Sequence, residues 1–171
     1  HIVDNADALL LDASRIVLLG HSAGGHTVAI VTADPTFVAN RGLGPDTIDC
    51  VIANDTEGYR LDDKATASPI VIENAFGTDP VTLDDASPSV RIERDGAPTT
   101  RYLIITRGSA RRREVATEFV DLVVTAGGRA DLLEAGPYSH TEVNQVLGEP
   151  GENIITPTVS AFLADCLSST D

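Results

Sequence analysis

A short apolar run that meets a glycine, bends at a serine and continues at helical spacing is the feature that most limits how this chain folds. Ile16-Val17-Leu18-Leu19 leads into Gly20-His21-Ser22-Ala23-Gly24-Gly25, and Val28, Ile30 and Val31 then fall at a mostly helical spacing closed by Asp34-Pro35. Four apolar residues in a row predict a strand covered on both faces, as in a parallel sheet. Ser22 falls on the bend between strand and helix. Glycines two before and two after it remove side chains that would collide in so tight a turn. The hydroxyl is thereby pushed clear of the sheet. The Ala23 N–H and the helix N-terminus are aimed where an attacked carbonyl would develop its oxyanion.

The rest of the chain alternates in the same manner. Ile2–Leu11 has helical spacing; Ile48–Ala53 is a β-branched run that ends at Asn54-Asp55; Pro69–Phe76 reads as a short helix capped by Ser68. The stretch 56–68 is polar and turn-rich, and 78–98, with four prolines, is expected to be irregular and exposed. Tyr102-Leu103-Ile104-Ile105 predicts a third buried strand, and 111–126 an amphipathic helix with Val115, Phe119, Leu122 and Val123 on one face. Gly127-Gly128 closes that helix, 130–135 is a fourth strand, and a last helix starts at Thr156-Pro157. Strand and helix in alternation give an α/β fold, a three-layer sandwich around a parallel sheet with right-handed crossovers.

The segment Asp12-Ala13-Ser14-Arg15-Ile16-Val17-Leu18-Leu19-Gly20-His21-Ser22-Ala23-Gly24-Gly25-His26 resembles the nucleophile segment of α/β-hydrolase carboxylesterases, in the branch related to hormone-sensitive lipase and kynurenine formamidase. Ala75-Phe76-Gly77-Thr78-Asp79-Pro80 with Ala86-Ser87-Pro88 is similar to the segment before that branch's acid-bearing strand. Ser139-His140-Thr141-Glu142-Val143-Asn144 with Leu147-Gly148 is similar to its histidine loop. The resemblance implies that residues 1–171 form one domain, the C-terminal portion of an α/β-hydrolase fold. The family's earlier strands and glycine-rich oxyanion loop have no counterpart here, so the resemblance implies either that this is a C-terminal fragment or that a companion chain carries the first half. A sheet edge left open in this way invites pairing, so a companion fragment or a homo-oligomer is the expected partner.

A serine hydroxyl needs a base to become a nucleophile. Of the four histidines, His1 is terminal, His21 lies inside the bend and is expected to be structural, and His26 lies along the helix after Ser22, where packing or capping is its expected role. His140 stands in a loop after the last strand, where it can swing over the sheet edge from which Ser22 emerges, and the chain order Ser, acid, His suits it as base. The resemblance places an aspartate just after the third strand, but this chain has Arg107-Gly108-Ser109-Ala110-Arg111-Arg112-Arg113-Glu114, with Arg111 at the expected position. A guanidinium accepts no hydrogen bond and cannot replace a carboxylate. Glu114 is the nearest acid and the first candidate. Asp55, at the end of the preceding strand, is the alternative, and the sequence leaves both open. A second departure is Arg60, which stands where the family turn has an aspartate.

The resemblance implies a serine hydrolase of small carboxylic esters. An arylformamidase-type amidase or a non-catalytic binding domain are the rival readings. No cofactor is expected, and no metal: the chain lacks His-x-x-x-His and Cys-x-x-Cys, and Asp62-Asp63 and Asp84-Asp85 lack calcium-loop spacing. A net charge of −14 disfavours nucleic acid and anionic membrane surfaces as partners. No apolar run nears the roughly 20 residues needed to span a bilayer. The chain starts at His1 and contains no methionine, so the start of translation is expected to lie upstream; a cytoplasmic location is the working expectation. Cys50 and Cys166 are expected as two buried thiols, with a bridge as the alternative in an oxidising compartment.

Overall fold

Four parallel strands, joined by three crossovers that carry helices, build the sheet in the computed structural model, which describes residues 1–62 and 69–168. In chain order the elements are α1 (Ala6–Leu9), β1 (Val17–His21), α2 (Ala23–Ala33), α3 (Thr36–Ala39), β2 (Cys50–Asn54), α4 (Pro69–Phe76), α5 (Pro80–Asp85), α6 (Pro88–Asp95), β3 (Arg101–Thr106), α7 (Ala110–Thr125), β4 (Arg129–Glu134), α8 (Glu142–Gln145) and α9 (Ile155–Ser168). The spatial order is β1-β2-β3-β4. His21 lies beside Asn54, Asn54 beside Ile105, and Ile105 beside Leu133, so the C-terminal ends of all four strands finish level.

Side chains alternate across a strand, and here both faces are apolar. Val51, Ala53, Tyr102 and Ile104 face the layer of α2, α6 and α7, where they meet Ala29, Ile92, Phe119 and Val123. Tyr59 stacks on Phe119 with ring centroids 4.2 Å apart, and Tyr102 meets the same ring edge-on. Cys50, Ile52, Leu103 and Ile105 face the opposite layer, where α8 and α9 supply Val143, Ile155, Val159 and Phe162. Each such large side chain taken fully from water contributes about 1.5–3 kcal/mol, so the two half-cores together hold the sheet between its layers. Among the described residues no helix is long and apolar enough to cross a membrane.

Several expectations need correction. The stretch 78–98 is largely helical, not irregular: Pro80 and Pro88 open α5 and α6. A proline in the first helical turn loses nothing by lacking an N–H, and Asp79 caps α5 by accepting from the Thr82 N–H at 3.0 Å. The Ile2–Leu11 helix shrinks to a 3₁₀ turn and α1, because Leu10 takes a left-handed conformation (φ 56°) and stands exposed. Cys50 and Cys166 are buried as expected, yet they form a disulfide that ties β2 to α9. The proposed Ser68 cap, and Asp63 of the acidic pair, lie outside the described residues.

Candidate active site

The close approach at the bend is made by Gly20 and Gly25. A Cβ on Gly20 would overlap the Gly24 carbonyl, and one on Gly25 would come within 3.1 Å of the Thr56 Cβ. Gly24 faces open space, so the second glycine that the sequence pattern stresses is not the one the packing requires. Ser22 itself adopts φ 58° and ψ −120°, a conformation that costs on the order of 1–3 kcal/mol in a non-glycine residue. The strain is held by the Ser22 N–H, which donates to the Asn54 carbonyl at 2.9 Å across the β1–β2 pair. Ala23 begins α2, whose first-turn N–H groups have no acceptor within the helix.

Asp55 follows β2 with φ 52°, and its N–H donates to the Ile105 carbonyl at 2.7 Å. Its carboxylate is wholly buried and accepts from three donors: His140 Nδ1 at 2.6 Å, Arg107 Nε at 2.6 Å and an Arg112 terminal nitrogen at 2.7 Å. Burial alone would raise its pKa. The hydrogen bonds from His140, Arg107 and Arg112 outweigh that and hold it below the ordinary carboxylate range. An ionised carboxylate only accepts, so Nδ1 carries the imidazole proton and Nε2 is the acceptor. The Ser22 hydroxyl donates to that Nε2 at 2.9 Å. The outcome is a continuous chain of hydrogen bonds from Ser22 through His140 to Asp55.

The loop after β4 carries His140 to this point and is tied down on both sides. Ala135 N–H donates to the Thr106 carbonyl at 2.7 Å, and Asn54 Nδ2 donates to the Val143 carbonyl at 3.0 Å. His21 Nε2–H donates to the backbone carbonyl of His140 at 2.7 Å, with the two rings 4.5 Å apart. His21, read from sequence as structural, thus anchors the histidine loop directly. His26 fits its expectation: its Nε2–H donates to the Ala86 carbonyl at 2.8 Å, and burial lowers its pKa.

Of the two acids left open, the structure brings Asp55, not Glu114, to the imidazole. Glu114 lies on the exposed side of α7 and pairs with Arg111 at 3.0 Å. Helical spacing explains this, since residues three apart on α7 reach one another before either reaches the sheet edge. Arg107 and Arg112, the partners of Asp55, had no distinguishing signal in sequence beyond their place after an apolar strand. His21, Asp55 and His140 bring ligand-type atoms within 4.8 Å of one another, a set that could hold a metal ion. Every one of those three side chains is already engaged in the hydrogen bonds above.

Ser22, Ala23, Asp55 and His140 open on a cavity of about 460 Å³. Val71, Ile72, Ala75 and Phe76 of α4 give it an apolar wall, and Arg107 and Arg112 give it a cationic one.

No family model matches this chain, and no curated protein does. Solved structures do. An esterase from Rhizomucor miehei superposes with a TM-score of 0.72 at 19% identity, over 96% of this chain and 56% of its own. Esterase 2 of Thermogutta terrifontis, phosphonylated by sarin, gives 0.70 at 18% identity, over 96% and 61%. An esterase from Pyrobaculum calidifontis gives 0.68 at 20%, over 96% and 56%. The chain has the α/β-hydrolase fold. The chain spans less than two thirds of the length of these esterases. In this fold ligands gather at the C-terminal ends of the parallel strands, where Ser22, Asp55 and Arg107 stand here.

Proposed function

We propose that this chain is a serine hydrolase of small carboxylic esters, with Ser22 as nucleophile, His140 as general base and acid, and Asp55 as the acid that orients the imidazole. The observation that carries the reading is the unbroken Ser22–His140–Asp55 hydrogen-bond chain. Esterase neighbours of the same fold support it. In the first half-reaction the Ser22 oxygen attacks the ester carbonyl while its proton passes to His140 Nε2. The Ala23 N–H and the N-terminus of α2 face the resulting oxyanion. Collapse breaks the bond to the alcohol, which leaves with the proton from His140, and the acyl group stays on Ser22. Water then gives a proton to His140, attacks the acyl carbonyl and releases the acid, returning the proton to Ser22.

The open β1 edge, where Leu19 is partly exposed, is the place at which a companion segment or second copy would pair. A fluorophosphonate probe tests the core of the reading: the full chain is expected to label, and Ser22→Ala is not. Equal labelling of both, or of neither, refutes it. Turnover of nitrophenyl acetate against N-formylkynurenine separates esterase from formamidase.

A further inference from the structure

One cation in the cavity is only half used. Arg107 meets Asp55 through Nε alone, and its two terminal amino groups find no acceptor among the described residues. Those groups are not buried either, and Arg107 is one of the residues that line the cavity. Arg112 differs: its terminal nitrogens are spent on Asp55 and on Glu57. A guanidinium whose terminal fork faces a cavity has the planar, two-donor geometry that matches a carboxylate, and such charge-assisted pairs are the strong ones. The Asp55 contact through Nε fixes the fork's orientation in advance, which lowers the ordering cost on binding.

We propose that this site selects esters whose acyl chain ends in a carboxylate, with Arg107 as the residue that recognises it. This rests on the hydrolase reading above and names the substrate class for it. The bonds from Ser22 through His140 and Asp55 keep the Arg107 Nε within roughly 10 Å of the nucleophile. A dicarboxylic monoester with three methylenes separates its two carboxyl carbons by about 5 Å. One charge-assisted bond of about 2.8 Å at the far end and an attack distance of about 3 Å at the near end complete that reach. The methylenes lie along the apolar α4 wall of Val71, Ile72 and Phe76. A net charge of −14 repels anions at long range, but salt screens it beyond about 8–10 Å, so recognition depends on the local fork.

Two experiments on the full chain decide this. Hydrolysis of monomethyl glutarate and of methyl pentanoate is followed by pH-stat in wild type, Arg107→Gln and Arg107→Lys. Damage to the Asp55 contact lowers both rates within one enzyme, so the ratio of the two kcat/KM values isolates recognition. The wild-type ratio is expected to favour the anionic ester and to fall at least tenfold in Arg107→Gln, through KM, with partial recovery in Arg107→Lys. A ratio unchanged by Arg107→Gln, or a wild type that prefers the neutral ester, overturns the proposal and leaves the hydrolase reading standing. Calorimetric titration of monomethyl glutarate into Ser22→Ala, with and without Arg107→Gln, separates the two failures. Binding lost on Arg107→Gln in a chain that turns over neither ester upholds the anion site and sinks the hydrolase reading. No binding to Ser22→Ala overturns the anion site.

Discussion

Replacing Asp55 with asparagine keeps the shape of the side chain and removes its charge. The carboxylate accepts three bonds, at 2.6, 2.6 and 2.7 Å, and His140 and Arg107 share one of its oxygens while Arg112 holds the other. Asparagine has a single acceptor oxygen. Turned toward His140 and Arg107, it sets its NH₂ against the Arg112 donor. Turned the other way, it sets NH₂ against Nδ1–H, and the imidazole must then present Nε2–H to Ser22, which cannot take up the serine proton. Either arrangement leaves two guanidiniums without their buried anion. Breaking a buried pair costs about 3–5 kcal/mol, and the low end applies here because both arginines keep some access to water. Turnover should fall by about 10³–10⁴, equal to about 4–5.5 kcal/mol in the barrier. The assay is kcat for nitrophenyl acetate and the rate of fluorophosphonate labelling, with circular dichroism to confirm that the variant is folded. Glu114→Gln, which touches only the Arg111 pair, should stay within twofold of wild type. A folded Asp55→Asn within tenfold of wild type, or a Glu114→Gln that falls as far, refutes the assignment.

Three other outcomes follow from the geometry. His21→Phe removes the donor to the His140 carbonyl, and kcat should fall about 3–10-fold with KM within twofold, the worth of one hydrogen bond; His21→Gln, which keeps a donor at similar reach, should recover most of it, and equal loss in both variants argues against anchoring. Gly20→Ala places a methyl against the Gly24 backbone and should destabilise by about 3 kcal/mol or more in urea titration, whereas Gly24→Ala should change stability by no more than about 1 kcal/mol and in the favourable direction. Glu152 accepts the N–H groups of Ile154, Ile155 and Thr156 at the start of α9. Desolvation raises its pKa, but those three bonds prevail and bring it down to about 2. A carboxylate lowered on folding contributes stability above its unfolded pKa and loses it as pH falls through the folded value. Wild type should therefore lose its advantage over Glu152→Gln between about pH 4.5 and pH 2 in acid-unfolding curves, and a pH-independent gap would contradict this.

What the sequence showed plainly is what depends on neighbours along the chain. The run Ile16–Leu19, the bend at Ser22 and the amphipathic pattern of α7 are local, and each forms the element its spacing predicts. But β1 is an edge strand with Leu19 exposed, and not the strand covered on both faces that four apolar residues in a row suggest. His140 was legible because chain order and loop position narrow four histidines to one. Proline misled in 78–98: it is read as a breaker, although in the first turn of α5 and α6 it is a starter, and the buried Ile92 that recruits α6 to the core is a tertiary fact. Leu9, Leu10 and Leu11 misled in the opposite sense, since their apolar spacing has no partner face among the described residues and all three are exposed. The identity of the third acid was out of reach for a similar reason. Glu114 is nearer to the expected position in sequence, but only the register of β2 against β3 shows which carboxylate lies at the imidazole.

That register also explains how the acid can stand on a different strand without loss of geometry. Asn54 and Ile105 are lateral partners, so the residues that follow β2 and β3 emerge side by side at one sheet edge. An imidazole arriving over that edge from β4 can be met at Nδ1 from either strand end. Here Arg107 follows β3 and Arg112 lies in the first turn of α7, on either side of the Arg111 position at which the acid is expected. With the carboxylate at the end of β2 they become its counter-ions: both guanidiniums bond Asp55, and among the described residues no backbone N–H donates to its carboxylate. Two neighbours of Arg111, the arginine that stands at the expected acid position, are therefore what allows a fully buried carboxylate to stay ionised beside His140: Arg107 and Arg112 bond Asp55, while Arg111 itself pairs with Glu114. The same compensation leaves the two terminal amino groups of Arg107 without an acceptor among the described residues, so the displacement of the acid and the anion recognition we propose would have a common structural origin.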